Sequence, residues 1–418
     1  MKVRFFAAAA LAAVLAVAAS TASARPGSPS APSRAAASKI TVWLQVDAQT
    51  GWPNLVAAAN QQFQAKHPGA TVDVQYQTWG DHLSKFDATL AGGNTPDVIE
   101  MGNTEMTKYM AAGAFTNLTS QKGSFANSKN WLKGLAASGV YNGKIYGVPY
   151  YAGSRVVTYR SDLYRKAHAK VPGTLAAFTA TAKRLKKQNS KRGFSPVYIA
   201  GTDWYFAMSF VYDFGGQIAK RVNGKWVGRL ETPKARAGLA AYKRFFNAAS
   251  RASKTGTENR PQPYDVYARG QAASIVGPAW FTCCVGKKYT KTTKQFVMPG
   301  HVKGQSMPGF LGGSDLAVPK GSGDKALATD WIRIFTSTAS QRGLQAKGNI
   351  PNATNLLGNS VNERAAKRSW FVPTAKNWVN VENGNVLRTM LARILTGRAS
   401  IAQATAFADS NIELTLNQ

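Results

Sequence analysis

Strand-like and helix-like segments alternate three times near the start of the folded part of this chain, and this alternation narrows the possible folds more than any other pattern in it. Residues 40–44 form a β-rich apolar run, and residues 72–76 alternate as a half-buried strand does. A third short strand is predicted at 97–101. Helical spacing follows each strand, and the first helix opens at Pro53 and stops before Pro68. The pattern predicts the α/β class, with a parallel sheet covered by helices.

Turn and cap signals continue the pattern downstream. Asn142-Gly143 and Asn223-Gly224 are strong signals for two-residue hairpin turns. Thr232-Pro233 predicts the start of a long amphipathic helix, and Ser400 predicts the start of the last helix.

The first residues predict where the protein works. Lys2 and Arg4 precede an uncharged apolar run at 5–19, and the small residues 22–24 follow it. These are the parts of a cleavable signal peptide, and the run is shorter than the ~20 residues that a membrane-spanning helix needs. We therefore predict a signal peptide at 1–24 and an exported protein, periplasmic or extracellular.

The predicted mature chain is long enough for two domains. Residues 25–38 are rich in Ser, Ala and Pro and predict a flexible linker. The remaining length exceeds the roughly 250–300 residues at which a single core stops growing. No cysteine precedes Cys283, so the predicted mature N-terminus offers no site for lipid attachment.

The charge balance is strongly basic, with 52 Lys and Arg against 20 Asp and Glu and a formal net charge of +32. Clusters at 183–187 and 287–294 contribute to it. A basic balance is compatible with nucleic-acid binding, but the chain has no zinc-finger spacing, glycine-aromatic RNA signature or basic heptad helix. We predict a solvated basic face on a protein that works among anionic envelope polymers, with no nucleic-acid partner.

Catalytic signatures are missing from the sequence. It contains no G-x-S-x-G elbow and no P-loop, and its four histidines form no H-E-x-x-H pair. Its two cysteines are adjacent, which does not suit a zinc knuckle. We predict no enzyme, no cofactor and no metal site. A pair of carboxylates for glycoside hydrolysis is defined by separation in space, so an exported polysaccharide-acting enzyme stays open as an alternative.

Four stretches, in order along nearly the whole predicted mature chain, carry the motifs of one family. They are 93–98 (GNTPDV), 146–149 with 158–164, 270–273 with 277–280, and 312–320 followed by 348–351. Together they resemble the extracytoplasmic solute-binding proteins of ABC importers, in the sugar-binding class to which maltose-binding proteins belong. Gln271 replaces a common Lys of this family, and the high positive charge is a second departure from it.

The resemblance implies two α/β lobes, each a mostly parallel sheet flanked by helices, joined by hinge crossovers. We expect lobe one at 39–150 and 297–352, and lobe two at 151–296 and 353–418. The implied function is to bind a sugar or oligosaccharide in the cleft between the lobes and to deliver it to membrane permease subunits as a monomer. The alternative within this fold is another solute, such as an anion, a polyamine or a metal complex.

A sugar-binding site needs flat aromatic side chains that pack against the C–H faces of the sugar ring, and polar groups that hydrogen-bond its hydroxyls. Three tryptophans in loop-like segments are candidates for the first role, and Trp280 is the leading one because the resemblance also points to it. The others are Trp204 and Trp378. Trp43 and Trp331 lie on periodic apolar faces and are predicted to be core residues.

Six further residues complete the predicted ligand site. Gln45 and Asp47 follow the first strand, and Asn103 follows the third, so both loops are placed to meet hydroxyl groups. The resemblance puts backbone and carboxylate contacts at Gly313 and Asp315. It also places Tyr151 next to the first crossover. Asp97, by contrast, is predicted to hydrogen-bond a neighbouring loop.

The adjacent pair Cys283-Cys284 leaves two interpretations open. Their Cα atoms lie about 3.8 Å apart, below the usual disulfide range of about 4.4–6.8 Å, which favours free thiols. An oxidising compartment favours a bond. A vicinal disulfide near Trp280 would present a rigid apolar face to a sugar ring.

Overall fold

The computed structural model describes residues 38–189, 191–258 and 260–418. The predicted signal peptide at 1–24 and nearly all of the predicted linker lie outside the described residues. Within them, no helix combines the length and the apolar character that a membrane crossing requires.

Strands and helices alternate along the described chain. The strands are β1 (Lys39–Gln45), β2 (Thr71–Gln77), β3 (Val98–Gly102), β4 (Val140–Tyr141), β5 (Lys144–Ile145), β6 (Gly147–Gly153), β7 (Arg155–Arg160), β8 (Ala219–Val222), β9 (Lys225–Gly228), β10 (Ser274–Pro278), β11 (Thr293–Phe296), β12 (Gly309–Phe310), β13 (Gly312–Ala317), β14 (Ile350–Pro351) and β15 (Ser369–Trp370). The helices are α1 (Val46–Gly51), α2 (Pro53–Lys66), α3 (His82–Gly92), α4 (Met106–Ala111), α5 (Lys133–Ser138), α6 (Ser161–Lys166), α7 (Leu175–Gln188), α8 (Trp204–Asp213), α9 (Pro233–Ala249), α10 (Pro263–Ala268), α11 (Lys325–Phe335), α12 (Thr338–Ala346), α13 (Val361–Ala366), α14 (Trp378–Asn383), α15 (Val386–Thr396) and α16 (Ile401–Leu416).

Local sequence explains where several of these elements begin and turn. Thr232 caps α9 by accepting from Ala235 N, with Pro233 in the first turn, as predicted. Ser400 forms a capping box at the start of α16. Both predicted hairpins are present, β4–β5 and β8–β9, and their turn residues have the positive φ angles that Asn-Gly pairs adopt most readily.

The larger sheet has six strands in the order β14-β6-β13-β3-β1-β2. β1 pairs in parallel with β2 and β3, while β13 runs antiparallel to both β3 and β6. β1, β2, β3 and β6 therefore share one direction. The core under this sheet includes the fully buried Phe63 and Trp331, and Trp43 is also buried, as predicted. These strands form the sheet of the first lobe.

The second lobe has a smaller sheet in the order β10-β7-β11, in which β7 is antiparallel to both neighbours. Parallel bridges join Ser195 to Ala272 and Tyr198 to Ile275 beside it. This sheet differs from the mostly parallel one expected, because β10 and β11 both return alongside β7. Helices α7, α8, α9, α15 and α16 supply most of its core.

Strand pairing and core packing favour different crossover positions from those predicted, by three residues at the first crossover and by fourteen at the second. Residues 151–153 pair within the larger sheet, so they belong to the first lobe. Met298, Met307 and Phe310 pack in the core of the second lobe, so the chain returns to the first lobe only after Phe310. We therefore propose that lobe one consists of 38–153 and 311–353, and lobe two of 154–310 and 354–418.

Candidate functional site

The carboxyl end of β1 brings an acidic side chain to the edge of the larger sheet. Helix α1 begins directly after β1 and carries Asp47 in its first turn. Trp79, which follows β2, donates a hydrogen bond from Nε1 to Asp47 Oδ2 at 2.5 Å. Burial raises the pKa of Asp47, and the Trp79 hydrogen bond offsets part of that rise. Trp79 is 42% exposed, so an aromatic ring and a carboxylate lie side by side at the surface of the first lobe.

A buried polar pair supports Trp79. The ring of His82 packs edge-to-face on Trp79 with centroids 5.3 Å apart, and His82 Nε2 lies 2.9 Å from Glu105 Oε2. The same oxygen of Glu105 accepts from Gly102 N at 2.8 Å. Burial lowers the pKa of His82, but the hydrogen bond and charge of Glu105 outweigh it, so the pKa is raised overall.

A carboxyl group lies beneath this surface. Glu100 is 1% exposed, and its Oε2 accepts from Gln45 N at 2.9 Å, while Oε1 is buried without a hydrogen-bond partner in the structure. Burial raises the pKa of Glu100 to about 7. The Glu100 charge in turn contributes, after burial, to a raised pKa of the half-buried Tyr151. Tyr151 therefore lies near Glu100 in the first lobe.

The second lobe contributes an aromatic stack at the start of α8. Asp203 caps this helix by accepting from Phe206 N at 3.1 Å, which positions the next two residues. The rings of Trp204 and Tyr205 stack with centroids 3.9 Å apart, and the Arg155 guanidinium lies 4.6 Å from the Tyr205 ring centroid. Trp204 is 3% exposed, whereas Tyr205 is half-buried. Tyr205 is therefore the member of the stack nearer to solvent.

Charged groups surround Tyr205. Burial raises its pKa well above the usual value, and the charges of Glu382 and Glu258 add to the rise. Glu258 pairs with Arg388, and Glu258 Oε2 and Arg388 Nε are buried without partners in the described structure. Buried polar atoms that lack a hydrogen-bond partner and lie beside an aromatic ring can form hydrogen bonds with a polar ligand.

Trp280 and Tyr264 form an exposed aromatic pair on the second lobe. Trp280 is 36% exposed and packs on Phe281 and Tyr264, with centroids 4.9 Å and 5.9 Å away. Burial raises the pKa of Tyr264, and charges that include that of Asp47 on the first lobe contribute to the rise. Trp280 and the half-buried Tyr264 therefore place two aromatic rings side by side on the second lobe.

The two cysteines beside Trp280 are joined. Cys283 and Cys284 form a disulfide in the 3-10 helix Ala279–Cys284, with both residues exposed. The structure thus departs from the free thiols that the Cα spacing favoured. The disulfide follows Trp280 by three residues on the same exposed turn.

Several predicted ligand residues are in fact core or packing residues. Asp315 is fully buried and accepts from Ser138 Oγ at 2.6 Å, so its carboxylate does not face the cleft. A side chain at Gly313 would bring its Cβ within 2.2 Å of Tyr151 O, so this glycine serves close strand packing. Trp204 and Trp378 are both almost completely buried. We do not retain direct ligand contact for Asp315, Trp204 and Trp378, whereas a backbone contact at Gly313 stays a prediction.

Gln45 and Asn103 are also buried, but each has a role next to the cleft. Asn103 donates from its backbone N to Gly313 O at 2.9 Å and from Nδ2 to Leu311 O at 3.0 Å, which fixes the end of β3 to the second crossover. Gln45 Oε1 is buried with no partner in the described residues. Asp97 accepts from Thr41 N and from Ser322 Oγ, so it fixes a neighbouring loop as predicted.

Sequence reasoning missed several residues of this site. The sequence contained a signal for Trp79, because this residue follows a predicted strand, as Asp47 and Asn103 do. The packing of segments far apart in the chain also brings in Arg155, Tyr205, Glu258, Tyr264, Glu382 and Arg388.

The fold and the cleft are those of a two-lobed solute-binding protein. The sequence model of the family described as bacterial extracellular solute-binding protein matches residues 45–342. The chain is also 31% identical, over 378 residues and 87% of each sequence, to the diacetylchitobiose binding protein DasA of Streptomyces coelicolor. This chain belongs to the bacterial extracellular solute-binding proteins, which confirms the predicted family.

Solved structures show the same fold at low sequence identity. The GacH receptor of Streptomyces glaucescens, solved unliganded and with acarbose, superposes with a TM-score of 0.78 at 19% identity, covering 91% of this chain and 98% of that one. Maltose-bound MalE3 of T. maritima superposes with a TM-score of 0.74 at 19% identity, covering 90% of this chain and all of the other.

Proposed function

We propose that this protein binds a sugar or oligosaccharide in the cleft between its lobes and delivers it to the permease subunits of an ABC transporter. The observation that carries the proposal is the pair of exposed tryptophans: Trp79 hydrogen-bonded to Asp47 on one lobe, and Trp280 beside Tyr264 on the other. Aromatic rings bind the C–H faces of a sugar, and the carboxylate accepts from its hydroxyls.

The charges at the cleft favour a neutral or cationic ligand over an anion. Four carboxyl groups, those of Asp47, Glu105, Glu258 and Glu382, outnumber the two guanidinium groups of Arg155 and Arg388 on the facing lobes, although the protein as a whole carries a large positive charge. Carboxylates that face a cleft repel a phosphate or carboxylate ligand at short range. A saccharide rich in hydroxyl groups meets no such penalty.

The relatives suggest which saccharides to test first. The Streptomyces coelicolor relative is a diacetylchitobiose binding protein, and a Rhizobium radiobacter relative, 25% identical over 325 residues, is a lactose-binding protein. We propose a disaccharide or short oligosaccharide with β-linked units as the first ligand class. We also propose that the protein is exported and acts as a monomer without catalysis.

A thermal-shift screen of the mature protein tests this function. The ligands are N,N′-diacetylchitobiose, lactose, maltose and single sugars, with spermidine and inorganic phosphate as the non-sugar arms. A ligand at 100 times its Kd adds about 2.7 kcal/mol of stability, which raises Tm by several degrees. Stabilisation by phosphate or spermidine alone would contradict sugar binding, and cleavage of the added saccharide, followed by chromatography, would contradict a receptor.

A further inference from the structure

The positive charge of this protein is concentrated in one lobe. Lobe one, as bounded above, holds 13 Lys and Arg against 10 Asp and Glu, whereas lobe two holds 35 against the same number, 10. The charge therefore does not reflect a general requirement for solubility, which would involve both lobes equally. A difference of this size between two lobes of one chain gives the protein a strongly basic side.

The basic residues of lobe two come together at one end of it. Residues 163–202 include nine Lys and Arg and no Asp or Glu. Gln188, at the end of α7, donates to Lys166 O at 2.6 Å, and Arg184 donates to His168 O, so the end of α7 lies against the segment after α6. We call the exposed side chains there the basic face: Lys166, Lys170, Lys183, Arg184 and Lys187.

The four lysines of the basic face are not neutralised by neighbours. Among the described residues, none of their ammonium groups makes a salt bridge or a side-chain hydrogen bond. Lys183 and Lys187 are four residues apart on α7 and so project from the same side of the helix. Their positive charge is therefore available to an external partner.

The basic face lies away from the cleft. β7 runs from Arg155, which contacts Tyr205 at the cleft, to Arg160, after which α6 begins. Six residues of a strand span about 16 Å. The segment after α6 is thus at the far end of lobe two. A partner bound there leaves the cleft free to close on its ligand.

A shallow depression lined by both apolar and polar side chains lies within the basic face. It has a volume of about 360 Å³ and runs between the loop at 170–173 and the side chains of Ala177 and Ala180 on α7. Val171 is 51% exposed at its rim, flanked by Lys170. An exposed apolar side chain among lysines gains free energy at a lipid interface, whereas a soluble polyanion offers it no apolar environment.

We propose that the basic face docks reversibly on a membrane surface rich in anionic phospholipid headgroups. Clusters of four to eight Lys and Arg are sufficient for such attraction, which falls off within about 10 Å at moderate salt. Docking would concentrate the protein at the membrane surface, where transporter subunits lie. The inference does not depend on which solute the cleft binds.

Vesicle sedimentation tests the proposal with the mature protein. We expect binding to vesicles that contain phosphatidylglycerol, weaker binding as salt is raised, and no binding to vesicles of phosphatidylcholine alone. The variant K166Q/K170Q/K183Q/K187Q should lower the partition coefficient by about a thousandfold at low salt. V171D should lower it as well.

A matched control separates the basic face from net charge. Lys122, Lys129, Lys133 and Lys144 are exposed lysines of lobe one, and K122Q/K129Q/K133Q/K144Q changes the net charge by the same amount. This variant should keep most of the vesicle binding. Equal losses in both variants, or no binding to phosphatidylglycerol vesicles, would overturn the proposal.

A parallel binding measurement with long-chain polyphosphate, a soluble polyanion, distinguishes a membrane partner from a soluble one. If polyphosphate binds through the same four lysines while the vesicles do not bind, the face serves a soluble or cell-wall polyanion and the membrane proposal is wrong. An unchanged Tm of each variant shows that the fold is intact.

Discussion

Glu382 of the second lobe accepts a hydrogen bond at 3.4 Å from the hydroxyl of Thr104 in the first lobe. The other carboxylate oxygen of Glu382 accepts from Trp378 Nε1 at 2.5 Å, and burial raises the pKa of Glu382 to about 7. The contact therefore connects the loop after β3 with α14 across the cleft, next to the candidate site.

Thr104→Val should weaken the closed arrangement of the lobes. A single hydrogen bond of this length is worth about 0.5–1 kcal/mol, so the affinity for the cognate solute should fall two- to fivefold. Calorimetry gives Kd, and solution scattering gives the radius of gyration with and without ligand. Thr396→Val, at an exposed position far along α15, is the control. An unchanged radius of gyration on ligand saturation would argue against hinge closure in the native protein.

Trp280→Ala should weaken sugar binding with little effect on stability. The ring is partly exposed, so its loss removes contact area with the ligand and leaves the core intact. We expect a loss of roughly 2 kcal/mol, as for buried aromatic anchors of interfaces. Trp226→Ala, on β9, is the matched control and should leave Kd unchanged. Unfolding of the Trp280 variant would instead identify this residue as part of the core.

The Cys283–Cys284 disulfide should affect binding more than folding. The bond joins neighbouring residues, so it restricts very little of the unfolded chain, and both residues are exposed. Intact-mass measurement should show two alkyl groups only after reduction. Reduction should then raise Kd while Tm stays nearly constant. Uptake of both groups without reductant would show free thiols and end this prediction.

Gly313→Ala should destabilise the protein, because the new methyl group meets Tyr151 O at 2.2 Å and the two strands must separate. Overpacking of this kind costs typically about 1–3 kcal/mol. Gly153→Ala is the control, since a Cβ at that position meets no atom within 4 Å. Urea unfolding of both variants measures the difference. Equal midpoints would contradict the packing role of Gly313.

Glu100→Gln should make stability less dependent on pH. Glu100 has an ordinary pKa of 4.5, which burial raises to about 7 in the folded protein. Between these values the folded state holds the proton and the unfolded state does not, so stability falls as pH rises. The variant removes this loss and should be more stable than the wild type by about 3 kcal/mol near pH 8, and by much less near pH 5.

Urea midpoints at the two pH values measure this effect. Exposed Glu231→Gln is the control and should keep the wild-type dependence. Parallel pH curves for Glu100→Gln and the wild type would show that Glu100 ionises normally in the folded protein.

Local patterns in the sequence determined the α/β class, the first three strands, both Asn-Gly hairpins and the capped starts of α9 and α16. They were sufficient because periodicity, turn chemistry and caps involve residues within a few positions of each other. The order of family motifs along the chain also determined the family. Asp47 was expected at the cleft because it directly follows a strand; it lies in the first turn of α1 beside Trp79, and its contact with a ligand stays a prediction.

Only the tertiary structure decided which polar and aromatic residues are accessible. Asp315 and Trp378 have sequence surroundings like those of site residues, yet neighbours such as Ser138, 177 positions away from Asp315, bury them. Glu258 and Arg388 meet across 130 positions, which no local pattern reports. The charge of the chain was plain from composition, but its concentration at one end of lobe two depends on how α7 folds against the segment after α6. Burial and side-chain pairing depend on distance in space, and the packing of distant segments determines that distance.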